Sequence, residues 1–337
     1  MSKEHAVQVI ETPGHPVASA RDPRSAAITS GQPGPTAGRR RTGAAIRAIG
    51  LTKSYRRHPA LRGLDLEVPA GGVFGYLGPN GAGKTTTIRL VTGLLLPTAG
   101  SMDVLGMSPS RDRDRLQRRI GYLPGNFSPY PDLTVKQFLA YLGSLRGGVD
   151  PTVVESLVTR LGLSMDPRIG TLSHGNRQKV GLVQAFMHEP ELLVLDEPTT
   201  GLDPLVQRAF ASLVHEVRDS GRTVFLSSHV LSEVEALADT VGILREGRLV
   251  TVQTVEALRA QAVRRIDLTF EGAVPVEVIR GRTGVRDLDV EGCTAHLVME
   301  GSTADLLRAT APHGISAVVS HEPDLGEIFL RYYATEA

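Results

Sequence analysis

The sequence contains very little cysteine and no long apolar segment. Cys293 is the single cysteine among 337 residues, which excludes an internal disulfide framework and fits a reducing compartment. No apolar run approaches the roughly 18 residues that a membrane-spanning helix needs, and the first residues lack the apolar core of a secretory signal. We therefore expect a chain without a membrane span, whose role at a membrane would have to come from a partner.

The chain also has almost no excess charge of either sign. It carries 37 basic and 36 acidic residues, a formal net charge of +1, so no polyanion partner is indicated and no nucleic acid is expected. With 41% hydrophobic and 22% charged residues, the composition is that of a globular protein. A length of 337 residues allows one large domain or two ordinary ones.

Residues 1–43 predict a disordered N-terminal extension. They are rich in proline, glycine, serine, threonine and alanine, and they show neither helical nor strand periodicity. Such a segment cannot bury enough apolar surface to offset the entropy of ordering. The run Arg39, Arg40 and Arg41 suits contact with anionic lipid, although a solvated extension is the simpler interpretation of so short a run.

Residues 44–261 predict an α/β core with a helical subdomain inserted at about 131–190. Strands are indicated at 46–51, 64–68, 73–77, 100–104, 120–123, 192–195 and 223–226. The unbroken apolar runs among them are typical of parallel strands that are covered on both faces. In the insert, apolar residues recur at helical spacing. A helix at 204–219 would join the last two strands as a βαβ crossover.

Residues 262–337 predict a smaller α+β accessory domain. Strands are indicated at 266–270, 295–299 and 315–319, and helices at 304–310 and 324–332. His313 and His321 have no cysteine or carboxylate at metal-ligand spacing, so we expect both at a solvated surface. We find no catalytic cluster in this part of the sequence.

The sequence GPNGAGKTT at residues 78–86 matches the phosphate-binding pattern G-x-x-x-x-G-K-[ST]. It follows a predicted buried strand and opens a predicted helix, and the N-terminus of a helix favours phosphate. Lys84 is suited to reach the β- and γ-phosphates, and the Thr85 hydroxyl is suited to ligate Mg²⁺. The residues predicted to hold ATP or GTP here are Gly78, Pro79, Asn80, Gly81, Ala82, Gly83, Lys84, Thr85 and Thr86.

The second half of the predicted site is an apolar strand that ends in two carboxylates, Asp196 and Glu197. Downstream of a phosphate loop, Asp196 is suited to hold Mg²⁺ through water opposite Thr85. Glu197 is then free to orient or polarise the attacking water. We therefore predict Thr85 and Asp196 as the metal-binding residues and Glu197 as a catalytic residue beside Lys84.

Several motifs, taken in chain order, resemble those of the ATP-binding cassette (ABC) family over about residues 45–260. They are Tyr55, the phosphate loop, the segment Leu-Ser-His-Gly-Asn at 172–176, the pair Asp196-Glu197, Gly-Leu-Asp at 201–203 and Ser-Ser-His at 227–229. The resemblance implies a P-loop ATPase fold that binds ATP and Mg²⁺. The segment at 322–333 resembles the tail of bacterial multidrug and antibiotic exporter ATPases, which pair with type-2 permeases.

The resemblance also implies roles for residues outside the phosphate loop. Tyr55 matches the aromatic residue that stacks on adenine, and His229 matches the switch histidine that contacts the γ-phosphate. Ser173 and Gly175 match the signature segment, which completes the ATP site of a second subunit. Asp203 matches the loop that contacts across the dimer. A homodimer is therefore implied, together with a membrane permease as partner.

Two motifs depart from the family pattern, which has Leu-Ser-Gly-Gly-Gln in the signature and a coupling glutamine after the fifth strand. His174 and Asn176 stand in the signature, and Gly125 stands where the glutamine would fall. Asn126 could substitute for it, or the loop could couple through its backbone. We hypothesise slow basal hydrolysis, with coupling retained through the packing of this loop.

We interpret the chain as the ATP-hydrolysing subunit of an ABC exporter, peripheral on the cytoplasmic face of the cell membrane. An ABC importer ATPase remains an alternative, and so does a soluble ABC ATPase acting on ribosomes or DNA. Ribosomal members usually carry two cassettes in one chain, and DNA-repair members insert a long coiled coil, whereas this sequence has neither. The transported substrate is not encoded in these motifs, because the permease would recognise it.

Overall fold

The computed structural model describes residues 43–261, 264–300 and 302–321. The strands are β1 (Ala44–Tyr55), β2 (His58–Pro69), β3 (Val73–Leu77), β4 (Ala99–Val104), β5 (Ile120–Leu123), β6 (Leu192–Asp196), β7 (Thr223–Ser228), β8 (Thr240–Arg245), β9 (Arg248–Thr254), β10 (Arg264–Phe270), β11 (Val285–Glu291), β12 (Thr294–Met299) and β13 (Ile315–Ser320). The helices are α1 (Lys84–Val91), α2 (Arg113–Arg119), α3 (Val135–Leu145), α4 (Pro151–Arg160), α5 (His174–Phe186), α6 (Pro204–Asp219), α7 (Leu231–Leu237), α8 (Val255–Gln261), α9 (Val276–Arg280) and α10 (Ala304–Thr310).

A six-stranded sheet in the order β5-β6-β7-β3-β8-β9 forms the centre of the first part. Its strands are parallel except β9, which pairs antiparallel with β8. Every residue of β3, β6 and β7 is buried, as expected for apolar strands covered on both faces. The carboxyl ends of these three neighbouring strands meet at one edge, where ligands bind in open α/β sheets.

A second, antiparallel sheet in the order β2-β1-β4 lies beside helix α1. Its inner residues share a hydrophobic core with that helix, and Ile46, Leu61 and Ile88 are fully buried within it. Strand β2 passes close to the start of α1, because a Cβ built on Gly83 would lie 2.7 Å from the Ala60 carbonyl oxygen. This sheet therefore positions the β1–β2 hairpin next to the loop that precedes α1.

The helical insert, α3 to α5, lies in sequence between β5 and β6, as the helical spacing predicts. Helix α3 begins at a capping box in which Thr134 and Gln137 exchange side-chain and backbone hydrogen bonds. Helix α4 begins with Asp150 at the N-cap and Pro151 at the first position. Apolar residues such as Phe138 and Leu157 bury the inner faces of these helices in the core shared with β6 and β7.

The elements after residue 263 follow the order β10-α9-β11-β12-α10-β13. Their antiparallel sheet has the strand order β11-β12-β10-β13, which is the ferredoxin-like arrangement. The small core includes Leu268, Ile279 and Leu306. On the sheet, Asp267 accepts hydrogen bonds from ring nitrogens of His296 and His321 at 2.8 Å each. His321 is about half exposed, and His313 is exposed.

The α/β fold agrees with the prediction, and several elements were not predicted. Strands β8, β9 and β11 and helices α7, α8 and α9 gave no clear signal in the sequence. The predicted helix at 324–332 and the predicted extension up to residue 42 lie outside the described residues. No helix within the described ranges is both long and apolar enough to cross a membrane.

Candidate active site

The phosphate loop joins β3 to α1 and curls around the side chain of Lys84. Gly81 and Gly83 have φ angles of +84° and +112°, which residues with a Cβ rarely adopt. Lys84 is only 6% exposed. Its ammonium donates to the carbonyl oxygens of Gly78 at 2.6 Å and Pro79 at 3.3 Å. The positive charge is therefore held inside the loop that would surround phosphate groups.

The Asp196 carboxylate lies at the end of β6 and faces the first turn of α1. Its Oδ2 accepts a hydrogen bond from the Thr85 hydroxyl at 2.9 Å, and its Oδ1 accepts one from the Ser227 hydroxyl at 2.6 Å. The two residues predicted to bind the metal are thus brought together.

The donor set here suits Mg²⁺, which usually keeps waters and binds through one or two carboxylates plus substrate phosphates. One carboxylate and one hydroxyl are what Asp196 and Thr85 supply. Within the described ranges, no cluster of three or more histidine, cysteine, aspartate or glutamate side chains could hold a metal by itself. The metal would therefore depend on the nucleotide for part of its coordination.

Glu197 lies between Lys84 and His229. Its Oε1 is 3.3 Å from the Lys84 ammonium, and its Oε2 is 2.7 Å from Nδ1 of His229. The glutamate side chain is 20% exposed and that of His229 is 49% exposed, so this end of the site opens to solvent. The three residues predicted as catalytic thus lie in one row, in which Glu197 forms an ion pair with Lys84 and a hydrogen bond with His229.

Two buried residues, Ser227 and Gln178, form hydrogen bonds with the backbone at Glu197. The sequence analysis assigned neither of them a role. The Glu197 N–H donates to the carbonyl oxygen of Ser227 at 3.2 Å and to its hydroxyl at 3.3 Å. The Gln178 amide donates to the carbonyl oxygens of Glu197 at 3.3 Å and Pro198 at 3.1 Å. In the sequence, only their positions point to these residues. Ser227 lies within the motif Ser-Ser-His at 227–229, and Gln178 lies two residues after the signature segment.

Tyr55 is the last residue of β1 and stands at the tight turn into β2, where it pairs with His58. Tyr55 is one of the large hydrophobic residues that are exposed to solvent, with an exposed fraction of 43%. The Lys53 ammonium lies 5.6 Å from the ring centroid. An exposed ring on the hairpin that contacts Gly83 is suited to stack on the base of a nucleotide bound in the phosphate loop.

The signature segment contacts the loop after β6. Ser173 caps α5 by accepting a hydrogen bond from the Asn176 N–H. A Cβ on Gly175 would lie 2.5 Å from the Gly201 carbonyl oxygen, and one on Gly201 would lie 2.5 Å from the His174 ring. Glycines at both positions allow this close packing.

Asp203 caps the next helix. Its carboxylate accepts hydrogen bonds from the N–H groups of Leu205 and Val206, both at 3.0 Å. The side chains of Ser173 and Asp203 are exposed. The surface formed by these two helix starts is therefore free to meet another molecule.

The loop after β5 reaches the site through Gly125. A Cβ on this residue would lie 3.2 Å from Oδ2 of Asp196 and 3.3 Å from its Cγ. Asn126 is exposed.

Burial and the charge of the nearby Asp196 carboxylate raise the pKa of Tyr122 to about 12, so this phenol stays neutral.

Fold and site together define a P-loop nucleoside triphosphatase. The family model described as "ABC transporter" matches residues 61–200. The bacitracin transport ATP-binding protein BcrA of Enterococcus faecalis is 33% identical over 295 residues, 84% of this chain and 94% of that protein. The linearmycin resistance ATP-binding protein LnrL of Bacillus subtilis (strain 168) is 30% identical over 301 residues, 85% and 97% of the two chains.

A solved structure described as an ATP binding subunit of an ABC transporter has a TM-score of 0.60 and 29% identity, covering 64% of this chain and 92% of that one. The chain belongs to the ABC transporter ATP-binding family. It binds ATP and is an ABC-type ATPase, which confirms the resemblance seen in its motifs.

Proposed function

We propose that this ATPase drives an exporter of antibiotics or similar compounds by hydrolysing ATP with Glu197 as the residue that activates water. The observation that carries this proposal is the row Lys84–Glu197–His229 beside the Thr85–Asp196 pair. The similarity to the bacitracin and linearmycin proteins supports the exporter assignment. No observation favours the importer or the soluble alternative.

Each side chain has a distinct task in this proposal. Lys84 and the backbone N–H groups of residues 78–86 bind the β- and γ-phosphates, while Tyr55 stacks on adenine. Thr85 and Asp196 would hold Mg²⁺, which neutralises charge on the phosphate oxygens. Glu197 accepts a proton from the attacking water.

The Lys84 ammonium is shared between the phosphate loop and the Glu197 carboxylate. Phosphate oxygens entering the loop compete with Glu197 for this ammonium, which frees the carboxylate to face water. His229 then holds the other carboxylate oxygen. Because Nδ1 is used in the contact with Glu197, Nε2 is the ring nitrogen left to contact the γ-phosphate.

We infer that the ATP site is incomplete in one chain. Ser173 and Gly175 contact Asn176 and Gly201 of their own chain, and Ser173 and Asp203 are exposed. We propose that two copies form a homodimer in which the signature segment of each completes the ATP site of the other. ATP would then join the two faces, and hydrolysis would release them.

A membrane permease is the proposed second partner, docked on the helical insert. Tyr130 and Tyr141 are 59% and 45% exposed, and their rings meet edge to face with centroids 6.2 Å apart. Leu145, one turn further along α3, is 65% exposed. Exposed apolar groups in one region mark an interaction site, and an amphipathic cytoplasmic helix of the permease fits it. The protein would then lie at the cytoplasmic face of the membrane.

We also propose the domain division that the sequence indicates. Residues 44–261 would be the ATPase domain with its helical subdomain at about 131–190, and residues 262–337 would be the accessory domain. The ferredoxin-like order of β10 to β13 and its separate core support this boundary. Residues 1–43 would be an extension outside both.

The experiment that tests this function uses the protein together with the permease encoded by a neighbouring gene. We expect the two to copurify from detergent-solubilised membranes, and we expect ATPase turnover to change when the permease and a bacitracin-like compound are present. Paired replacement of Tyr130 and Tyr141 by serine should release the permease while ATP binding persists. Sedimentation with ribosomes, without a permease, would overturn the assignment.

A further inference from the structure

Glu197 adopts a backbone conformation that needs contacts from the surrounding residues to hold it. Its φ angle is +50°, in the left-handed region that residues with a Cβ disfavour. Such conformations occur where the surroundings hold them, often in active sites. The contacts on the two peptide groups that flank Glu197 therefore decide whether its carboxylate stays in place.

Ser227 holds the N-terminal side. Its hydroxyl has one proton, which it donates to Oδ1 of Asp196, so a lone pair is left to accept from the Glu197 N–H. The residue is fully buried, and no water competes for these bonds. One hydroxyl thus links the orientation of Asp196 to the backbone of Glu197.

Gln178 holds the C-terminal side. It lies on α5 two residues after the signature segment and is 3% exposed. Its amide donates to two successive carbonyl oxygens, those of Glu197 and Pro198. These bonds tie the helix that begins at Ser173 to the peptide group that follows the carboxylate.

We propose that Ser227 and Gln178 are positioning residues for hydrolysis, which together hold Glu197 in its left-handed conformation with the carboxylate between Lys84 and His229. This inference rests on the role proposed for Glu197. Neither residue contacts the phosphate loop through the hydrogen bonds described, so both act on turnover and leave the capture of ATP to Lys84 and its neighbours.

The test compares Gln178→Met with Gln184→Met in the full-length protein. Gln184 is a matched control because it is 8% exposed, lies on the same helix, and donates to the carbonyl of Tyr122 instead. We expect Gln178→Met and Ser227→Ala to lower kcat about 10- to 100-fold with KM for ATP within about twofold of the parent. Gln184→Met should change Tm by about as much as Gln178→Met does, whereas its kcat should stay near that of the parent.

A second comparison uses the background Glu197→Gln, followed by single-turnover hydrolysis. If Gln178 acts through Glu197, then Gln178→Met should cause no further loss there. Equal kcat for Gln178→Met and Gln184→Met, or full additivity with Glu197→Gln, would overturn the inference alone. Parent-like turnover of Glu197→Gln itself would instead overturn the proposed role of the glutamate, and the inference with it.

Discussion

Gly125 lies against the carboxylate of Asp196, so closely that a methyl group at residue 125 would be a tight fit. A Cβ at residue 125 would lie 3.2 Å from Oδ2 of Asp196, the oxygen that also accepts the hydrogen bond from Thr85. The glycine that replaces the family's glutamine at residue 125 therefore lies where a side chain would press against Asp196. The loop after β5 approaches Asp196 through its backbone.

Replacing this glycine should disturb Thr85 and Asp196, the pair proposed to bind the metal. In Gly125→Ala, the new methyl group would move the Asp196 carboxylate by a few tenths of an ångström away from Thr85. We expect kcat to fall about 3- to 10-fold, measured as ATPase turnover at saturating nucleotide. Gly272→Ala is the control, because a Cβ there meets nothing within 4 Å.

Gly125→Gln addresses the hypothesis of slow basal hydrolysis directly. The larger side chain either restores the coupling contact or displaces Asp196 further, and both change turnover. Unchanged turnover together with unchanged transport would show that residue 125 has no part in coupling.

The metal requirement should depend on Thr85 and Asp196 together. Thr85→Val removes the hydroxyl while it keeps the shape of the side chain, so we expect hydrolysis to need a higher Mg²⁺ concentration, with a shift of about 10-fold or more. Chelation with EDTA should stop hydrolysis in the parent, and added Mg²⁺ should restore it. A Mg²⁺ dependence identical to that of the parent would contradict the assignment.

His188 makes stability depend on pH. Burial and the positive charge of Arg146 lower the pKa of this histidine from 6.5 to about 4, while its Nε2 bonds the Ile120 carbonyl. Between these two values the unfolded chain takes up a proton that the folded protein refuses. Stability should therefore be fully present above about pH 6.5 and fall as the pH drops toward 4.

Urea unfolding across this range measures the effect. His188→Asn should remove up to about 3 kcal/mol of the loss between pH 7 and pH 4. Arg146→Met should reduce the loss as well, because it removes the positive charge that lowers the pKa of His188. The same slope in His188→Asn and the parent would rule out this source of acid sensitivity.

Mixing two inactive variants tests whether Ser173 acts in the partner's site. Lys84→Ala should lose phosphate binding. Ser173→Asp should keep the helix cap of α5 while its charge repels the γ-phosphate. In an equal mixture, half of the dimers are mixed and each has one intact site, so about a quarter of parent turnover is expected. Activity no higher than the mean of the two variants would contradict completion between chains.

Local sequence patterns predicted the parts of the site that lie within single segments. The phosphate loop and the Asp196-Glu197 pair each follow a buried apolar strand, and Leu77 and Asp196 do end β3 and β6. Pro204 after Asp203 marked the start of α6, which the structure confirms.

Contacts between distant segments could not be read from the sequence. Gln178 is 19 residues from Glu197, and Ser227 is 31 residues from Asp196. They come together because β7 pairs with β6 and because α5 packs against β5, the other neighbour of β6. Strand β9 alternates between half-buried and exposed residues at the edge of its sheet, so it lacks the apolar run that identified its neighbours.

Glu197 is the residue that we propose activates the water that attacks ATP. Turnover and ATP affinity of Glu197→Gln, measured side by side on the purified protein, test it most directly. We expect Glu197→Gln to bind ATP within a fewfold of the parent and to hydrolyse it about 100-fold or more slowly, because glutamine fills the same space without accepting a proton. Hydrolysis at the parent's rate would show that Glu197 does not activate the water.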